Sequence, residues 1–177
     1  IFCLDFNTPS RITDELGEKL VAAPGRKVLI DHHLGPDVDT VLTISHPDMS
    51  STAELVFRLI HQLGGYEDMT KNMAVTAYCG MMTDTGGFTF NSTRPEIFLI
   101  ISLLLAKGID KDKIYRNVFN TFSQSRLRLT GYVLYEKLNV LAPLHASYYV
   151  ITKEEQKRFN YIKGDAEGLV NMPLQMK

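Results

Sequence analysis

Three short stretches of the sequence place acids or histidines directly after apolar segments. They read CLDFN with Asp5, KVLIDHHLG with Asp31, His32 and His33, and MMTDTGGF with Asp84. Carboxylate and imidazole groups are ligands that Mn²⁺, Mg²⁺, Zn²⁺ or Fe²⁺ takes in proteins, whereas a soft thiolate site would need cysteines. Taken together, the three stretches indicate a divalent-metal site.

The two adjacent histidines are the most informative part of this pattern. Successive residues at the end of a strand point in different directions. One imidazole can therefore bind a metal through a neutral nitrogen while its neighbour faces a substrate. Asp31 can orient one of the rings from behind and so fix its tautomer. This reasoning leaves open which ring has which role.

Each of the other two acids has a simpler alternative when it is taken alone. Asp5 could cap the turn before Thr8 and Pro9. Asp84 could end its helix before the two glycines that follow. A carboxylate at a helix C-terminus faces the negative end of the helix dipole, however, and is unfavourable unless a cation lies opposite. A bound metal would be such a cation.

The surrounding elements predict an α/β fold with a parallel sheet. Residues 1–4, 28–30 and 40–44 are short, β-favouring apolar runs, and segments of helical periodicity alternate with them. If the first two strands are neighbours, Asp5 and the residues 31–33 lie together at the carboxyl edge of the sheet, where ligands bind in such folds.

Further along the chain, helix signals predict how the later residues are organised. Ser51 is a helix cap, and we expect Glu54 to reach back to the cap amide. We expect one long helix from Ser123 to about Leu141 and a strand over 147–151. The predicted domains are residues 1–122, a connector helix over 123–143, and the start of a smaller α/β domain over 144–177.

Composition excludes several classes of function. The net charge is −1, so the chain lacks the basic surface that binds long duplex nucleic acid, although a short anionic substrate is compatible with it. The longest apolar run, Ile97 to Ala106, is about half of a bilayer span, which predicts a buried helix and no membrane partner. Cys3 and Cys79 are too few for a disulfide scaffold, and we expect a cytoplasmic protein.

The motifs resemble the DHH phosphoesterase superfamily. The resemblance rests on DHH in LIDHHLG, the acid in CLDFN, TDTGGF, the intervening SSTAELVFRLI, and GDAEGLVNMPL, which is similar to the start of the DHH-associated C-terminal domain. TDTGGF and EGLVN resemble the nanoRNases that also remove the 3′-phosphate of 3′-phosphoadenosine 5′-phosphate, and bacterial members are often labelled exopolyphosphatase-related. The resemblance implies a parallel-sheet domain with helices on both faces.

The resemblance also implies a role for each motif residue. The family holds two divalent ions, usually Mn²⁺, with Mg²⁺ or Co²⁺ as alternatives. By this resemblance Asp5 would bridge the two ions, and His32 and Asp84 would bind one of them. His33 would contact the scissile phosphate, and Asp31 would support the histidines. The substrate would be a short RNA or a nucleotide, and a homodimer is left open.

Two family motifs have no counterpart in the sequence. One is the first motif, His-x-x-x-Asp-x-Asp, which supplies most ligands of one metal, and the other is the glycine-rich His motif that grips substrate. Both would lie beyond the ends of the chain. We therefore expect a longer parent enzyme, and we expect this chain by itself to be inactive.

Other functions remain compatible with the same residues. Within the superfamily, the alternatives are a pyrophosphatase or polyphosphatase and a hydrolase of linear or cyclic dinucleotides. An alternative of another class is a non-catalytic nucleotide-binding module. Such a module predicts decayed ligands, whereas Asp5, His32, His33 and Asp84 are all present. Phe88 or Phe90 could stack a base or pack in the core.

Overall fold

The computed structural model describes residues 1–176, which form two compact units. The first unit spans Ile1–Asn117, and the second comprises the described residues from Val118 onward. Compactness does not measure whether a unit folds alone, so the domain limits given by the sequence, 1–122, 123–143 and 144–177, stay predictions.

A three-stranded parallel sheet is the frame of the first unit. Its strands are β1 (Phe2–Leu4), β2 (Val28–Asp31) and β3 (Leu42–Ser45), in the order β1-β2-β3. The central strand is the most buried, because Leu29 and Ile30 pack beneath the helices. The predicted α/β fold with a parallel sheet is confirmed.

Helices connect and cover these strands. The chain forms α1 (Asp14–Ala22), α2 (Thr52–Gln62), α3 (Lys71–Asp84), α4 (Pro95–Ala106) and α5 (Lys111–Phe119), with a 3-10 turn at Pro9–Arg11. The core takes apolar side chains from several of them: Phe57, Met81, Met82, Ile97 and Leu104 are fully or almost fully buried. Helix α2 therefore packs against β2 and also contacts α3 and α4.

The start of α2 confirms one predicted contact and corrects another. Ser51 is the N-cap, and its hydroxyl accepts from the Glu54 amide at 3.1 Å. The Glu54 carboxylate does not reach back to the Ser51 amide; it accepts from the amide and hydroxyl of Ser50. The carboxylate is fully buried and also paired with Arg58, and Ser50 offers it two donors where the cap amide would offer one.

The second unit differs from the single long helix that the sequence predicts. Helix α6 (Gln124–Tyr132) continues as a π-helical turn to Lys137, and the chain then extends into β4 (Asn139–Leu141). This strand pairs antiparallel with β5 (Ala146–Tyr148), which replaces the predicted strand over 147–151. Asn and Val favour helices only weakly, and pairing with β5 outweighs that preference. Helix α7 (Lys153–Arg158) follows.

Helix α4 carries the longest apolar run but is only partly buried. Its buried side chains are Ile97, Ile100 and Leu104, whereas Phe98 and Leu99 are exposed, so the helix predicted to be buried is buried on one face only. At 12 residues it is about 18 Å long. Within residues 1–176, no helix combines the length and the apolar character that crossing a bilayer requires.

Candidate metal centre

The carboxyl edge of the sheet brings two of the sequence motifs together. Asp5 follows β1 directly, and Asp31 is the last residue of β2. Leu4 pairs with Ile30 in the parallel register, and the Asp5 amide donates to the Ile30 carbonyl at 3.2 Å. Adjacent parallel strands that end side by side present their next residues to the same region of space.

The His32 imidazole is the centre of the cluster. Its Nε2 lies 3.6 Å from Asp5 Oδ1 and 3.7 Å from Asp84 Oδ2. Asp84 arrives at this point because it is the last residue of α3. Asp5 and Asp84 therefore both face His32 Nε2. These are the three residues for which the sequence predicted metal binding.

His33 has a different partner. Its Nδ1 lies 2.7 Å from Asp31 Oδ1, and Asp31 is fully buried. The His32 and His33 ring centres are 4.7 Å apart and the rings are steeply inclined to each other. Asp5, His32 and His33 also offer ligand atoms that all lie within 4.8 Å of one another. Asp31 thus supports His33, which is one of the two arrangements that the sequence left open.

His32 is oriented instead by the backbone near α2. Its Nδ1 lies 3.4 Å from the Met49 carbonyl oxygen. A backbone carbonyl accepts only, so a hydrogen bond there puts the proton on Nδ1 and leaves Nε2 as the free, ligand-type nitrogen. Nε2 is the atom that faces Asp5 and Asp84.

Asp5 is held by its backbone and by a distant threonine. Its φ of 66° lies in the left-handed region, which Asp tolerates better than most residues. The Thr52 hydroxyl donates to Asp5 Oδ1 at 2.9 Å across 47 residues of sequence. Sequence reasoning missed Thr52 and Met49, because SSTAE was interpreted as a helix-capping signal and as part of a family segment, and Met49 precedes it. The available sequence signal was that Thr52 directly follows the cap residue Ser51.

The electrostatics of the cluster favour a cation. The pKa of Asp84 is raised above its ordinary value, first by burial and then by the negative charge of Asp5, while His32 and His33 act in the opposite direction. A positive ion between the Asp5 and Asp84 carboxylates would reduce the repulsion between their negative charges. Carboxylate oxygen and imidazole nitrogen donors are ligands that Mn²⁺, Mg²⁺, Zn²⁺ or Fe²⁺ takes, so these residues fit a divalent ion.

Hydrogen bonds of Thr85 fix the TDTGGF turn directly after Asp84. Thr85 is fully buried, its hydroxyl donates to the Met81 carbonyl at 2.7 Å, and the same oxygen accepts from the Phe88 amide at 3.0 Å. Phe88 packs on Tyr78, with ring centres 5.6 Å apart, whereas Phe90 is half exposed. Of the two phenylalanines, Phe88 therefore has the packing role.

Open space adjoins the two acids. Asp5, Thr52 and Asp84 line a cavity of about 440 Å³ together with apolar side chains of α2 and α3. Val56, Phe57, Ile60 and Ala77 are among those apolar side chains. The two acids are thus accessible from this cavity.

Comparison with known proteins finds similar sequences and a similar structure. Residues 1–81 match the DHH family, N-terminal domain. The bifunctional oligoribonuclease and PAP phosphatase NrnA of Thermus thermophilus is 32% identical over 109 residues, which are 62% of this chain and 31% of that protein. The probable bifunctional oligoribonuclease and PAP phosphatase NrnA of Streptococcus mutans is 29% identical over 150 residues, covering 82% and 46%.

A solved structure resembles the whole chain. It is an exopolyphosphatase-related protein from Bacteroides fragilis, 57% identical, with a TM-score of 0.96 over 100% of this chain and 52% of that one. The chain therefore spans about half of that protein, and it matches between 31% and 46% of the two NrnA relatives.

Proposed function

Because residues 1–81 match the DHH family, N-terminal domain, we propose that the protein is a divalent-metal-dependent phosphoesterase. Its proposed substrates are short oligoribonucleotides, 3′-phosphoadenosine 5′-phosphate, or both, as the names of the two NrnA relatives suggest. One observation carries the proposal: a carboxylate oxygen of Asp5 and one of Asp84 both lie within 3.7 Å of His32 Nε2.

In this proposal Asp5, His32 and Asp84 hold the ion, with Mn²⁺ preferred and Mg²⁺ or Co²⁺ as alternatives. An ion bound there supplies positive charge to phosphate oxygens and lowers the pKa of a water molecule. Phosphoryl transfer depends mainly on such positioning and charge compensation, and a protein nucleophile is not required. The arrangement accordingly needs no serine or cysteine beside it.

The proposed role of His33 is to contact the scissile phosphate. Ionised Asp31 only accepts hydrogen bonds, so His33 Nδ1 carries the proton between them. Nε2 is then the nitrogen that faces the substrate. Asp31 keeps the ring in one orientation throughout, because its carboxylate is buried and cannot turn towards solvent.

The first experiment uses the full-length parent protein. It measures release of mononucleotides from a short, labelled RNA with and without Mn²⁺. His32→Ala is the test variant. His46→Ala is the control, because His46 is exposed and meets Asp31 only through its backbone amide, which the substitution keeps. We expect activity that requires Mn²⁺, is lost in His32→Ala and is kept in His46→Ala.

Failure of that experiment has a defined meaning. An intact protein that binds Mn²⁺ but cleaves neither RNA nor 3′-phosphoadenosine 5′-phosphate nor pyrophosphate would contradict the catalytic proposal. That result would favour the non-catalytic nucleotide-binding module. Activity that persists fully in His32→Ala would instead contradict the ligand role of His32.

A polyphosphatase or pyrophosphatase is the second candidate. The observation in its favour is the 57% identity to a protein described as exopolyphosphatase-related. Both candidates use the same ions and side chains, so His32→Ala cannot separate them. A comparison of kcat/KM for short RNA, 3′-phosphoadenosine 5′-phosphate, pyrophosphate and polyphosphate does so, and we expect the first two substrates to be preferred.

A further inference from the structure

One short backbone stretch, residues 49–52, contacts two of the proposed ligands at once. The carbonyl oxygen of its first residue, Met49, lies 3.4 Å from His32 Nδ1. Its last residue, Thr52, donates a hydrogen bond to Asp5 Oδ1 at 2.9 Å. The two ligands come from different strands, yet the partners that orient them are three residues apart. A displacement of this stretch would therefore disturb both ligands together.

The Glu54 carboxylate holds the middle of this stretch through hydrogen bonds from Ser50. One of its oxygens accepts from the Ser50 amide at 3.1 Å and from the Ser50 hydroxyl at 2.6 Å, and its other oxygen accepts from Arg58 Nε at 2.8 Å. Glu54 is fully buried, and a buried carboxylate is costly unless it is paired and hydrogen-bonded. Arg58 supplies the pairing charge, so the anchor is electrically balanced.

Helix capping alone does not account for these contacts. Ser51 already caps α2 through its own hydroxyl, which accepts from the Glu54 amide. The two hydrogen bonds that Ser50 donates to the Glu54 side chain come from outside the helix and are additional to the cap. They fix the position of the residue that separates Met49 from Ser51.

The side chain of Asp5 needs an external partner to stay in place. About half of it is exposed, at 54%, so water does not restrict its rotation. Immobilising an exposed side chain costs conformational entropy, which a hydrogen bond from a rigid neighbour offsets before an ion arrives. Thr52 is such a neighbour because it is almost fully buried and its branched side chain is restricted at χ1.

We propose that Thr52 is a positioning residue for Asp5, and that Glu54 holds residues 49–52 so that Asp5 and His32 are preorganised as a pair for a divalent ion. This inference rests on the proposed function, because it assumes that the cluster binds an ion. Hydrogen-bond partners that orient ligands are typically worth ~10- to 100-fold in metal affinity.

The test measures Mn²⁺ affinity of the intact protein by isothermal titration calorimetry, with no substrate present. Thr52→Val keeps the shape and removes the hydroxyl, and Thr52→Ser restores the hydroxyl. Thr76→Val is the matched control, because Thr76 lines the same cavity but donates to the Asn72 carbonyl and not to a ligand. Thermal unfolding of each metal-free variant accompanies the titrations.

We expect Thr52→Val to weaken Mn²⁺ binding by ~10- to 100-fold, with Thr52→Ser and Thr76→Val close to wild type. Wild-type affinity in Thr52→Val would overturn the inference. So would equal losses in Thr52→Val and Thr76→Val, since that pattern indicates a general loss of packing. A wild-type protein that binds no Mn²⁺ would overturn the metal-site proposal itself, and this inference with it.

Glu54→Gln tests the anchor separately. The amide nitrogen cannot accept, so either the Ser50 or the Arg58 contact is lost while the side-chain volume stays the same. We expect weaker Mn²⁺ binding, by ~10-fold, and a changed NMR signal of the His32 ring in the metal-free protein. Glu18→Gln on the exposed side of α1 is the control. Unchanged affinity and an unchanged His32 signal in Glu54→Gln would remove Glu54 from the inference.

Discussion

Gly80 of α3 lies directly against Ala53 of α2. A Cβ atom at Gly80 would be 2.7 Å from the Ala53 Cβ, which is closer than two non-bonded carbon atoms can approach. This contact sets the distance between the helix that begins at Thr52 and the helix that ends at Asp84. The spacing of the ligand cluster therefore depends on the absence of a side chain one helical turn before Asp84.

We expect Gly80→Ala to push α2 and α3 apart. Overpacking of this kind costs ~1–3 kcal/mol of unfolding free energy, and it should also weaken Mn²⁺ binding because Asp84 moves relative to Asp5. Chemical denaturation and Mn²⁺ titration measure the two effects. Gly131→Ala is the control, because its Cβ would meet nothing within 4 Å. That exposed helical position should gain ~0.5–1 kcal/mol.

Asp31→Asn should lower kcat while the fold is retained. The neutral amide can donate as well as accept, so His33 Nδ1 no longer has an obligatory proton and the ring loses its single tautomer. Loss of an orienting partner of this type typically costs ~10- to 100-fold. Nitrogen NMR of the His33 ring reports the tautomer, and exposed Asp39→Asn serves as the control. An unchanged tautomer with reduced kcat would contradict this account.

Asp84→Asn should stabilise the metal-free protein at neutral pH. The pKa of Asp84 is raised, so the folded state holds the proton more tightly than the unfolded state, whose pKa is near 3.8. The unfolding free energy contributed by this group is thus greatest below pH 3.8 and falls as pH rises through the folded pKa. The advantage of the Asp84→Asn variant should shrink towards pH 3.8, as unfolding curves at several pH values would show.

Addition of Mn²⁺ should reverse this order. Wild type should gain stability from the ion, whereas Asp84→Asn, which lacks one carboxylate ligand, should gain little. Exposed Asp68→Asn should behave as wild type in both conditions. Equal stabilisation of wild type and Asp84→Asn by Mn²⁺ would exclude Asp84 as a ligand.

Glu155 makes the second unit sensitive to acid. Hydrogen bonds from Lys137, from the Thr152 amide and from Tyr132 lower the pKa of Glu155 from 4.5 to about 2. A lowered pKa means that the stabilisation is present above pH 4.5 and is lost as pH falls from 4.5 towards 2. We expect Glu155→Gln to remove this part of the pH dependence. Hydrogen exchange of the α7 amides measures it, and Glu154→Gln, which should retain the dependence, is the comparison.

The sequence alone determined the elements and their chemistry. Apolar runs that end in Asp5 and Asp31 predicted two parallel strands with ligands at one edge, because alternating strands and helices leave few other topologies. The Ser51 cap was also predictable, since a cap contact spans only three residues. Local signals predicted this cap, but they did not show that the Glu54 carboxylate accepts from Ser50 and not from the Ser51 amide. They failed at Leu138–Leu141, where pairing with a later strand outweighs local helix preference.

Only the tertiary structure decided which histidine faces which partner. The sequence showed that His32 and His33 point in different directions, but not that one meets Asp84 and the other Asp31. The bond between Thr52 and Asp5 spans 47 residues, and it forms because α2 packs against the sheet at β2. Such contacts depend on the close approach of α2 and α3, and no local pattern of residues encodes that distance.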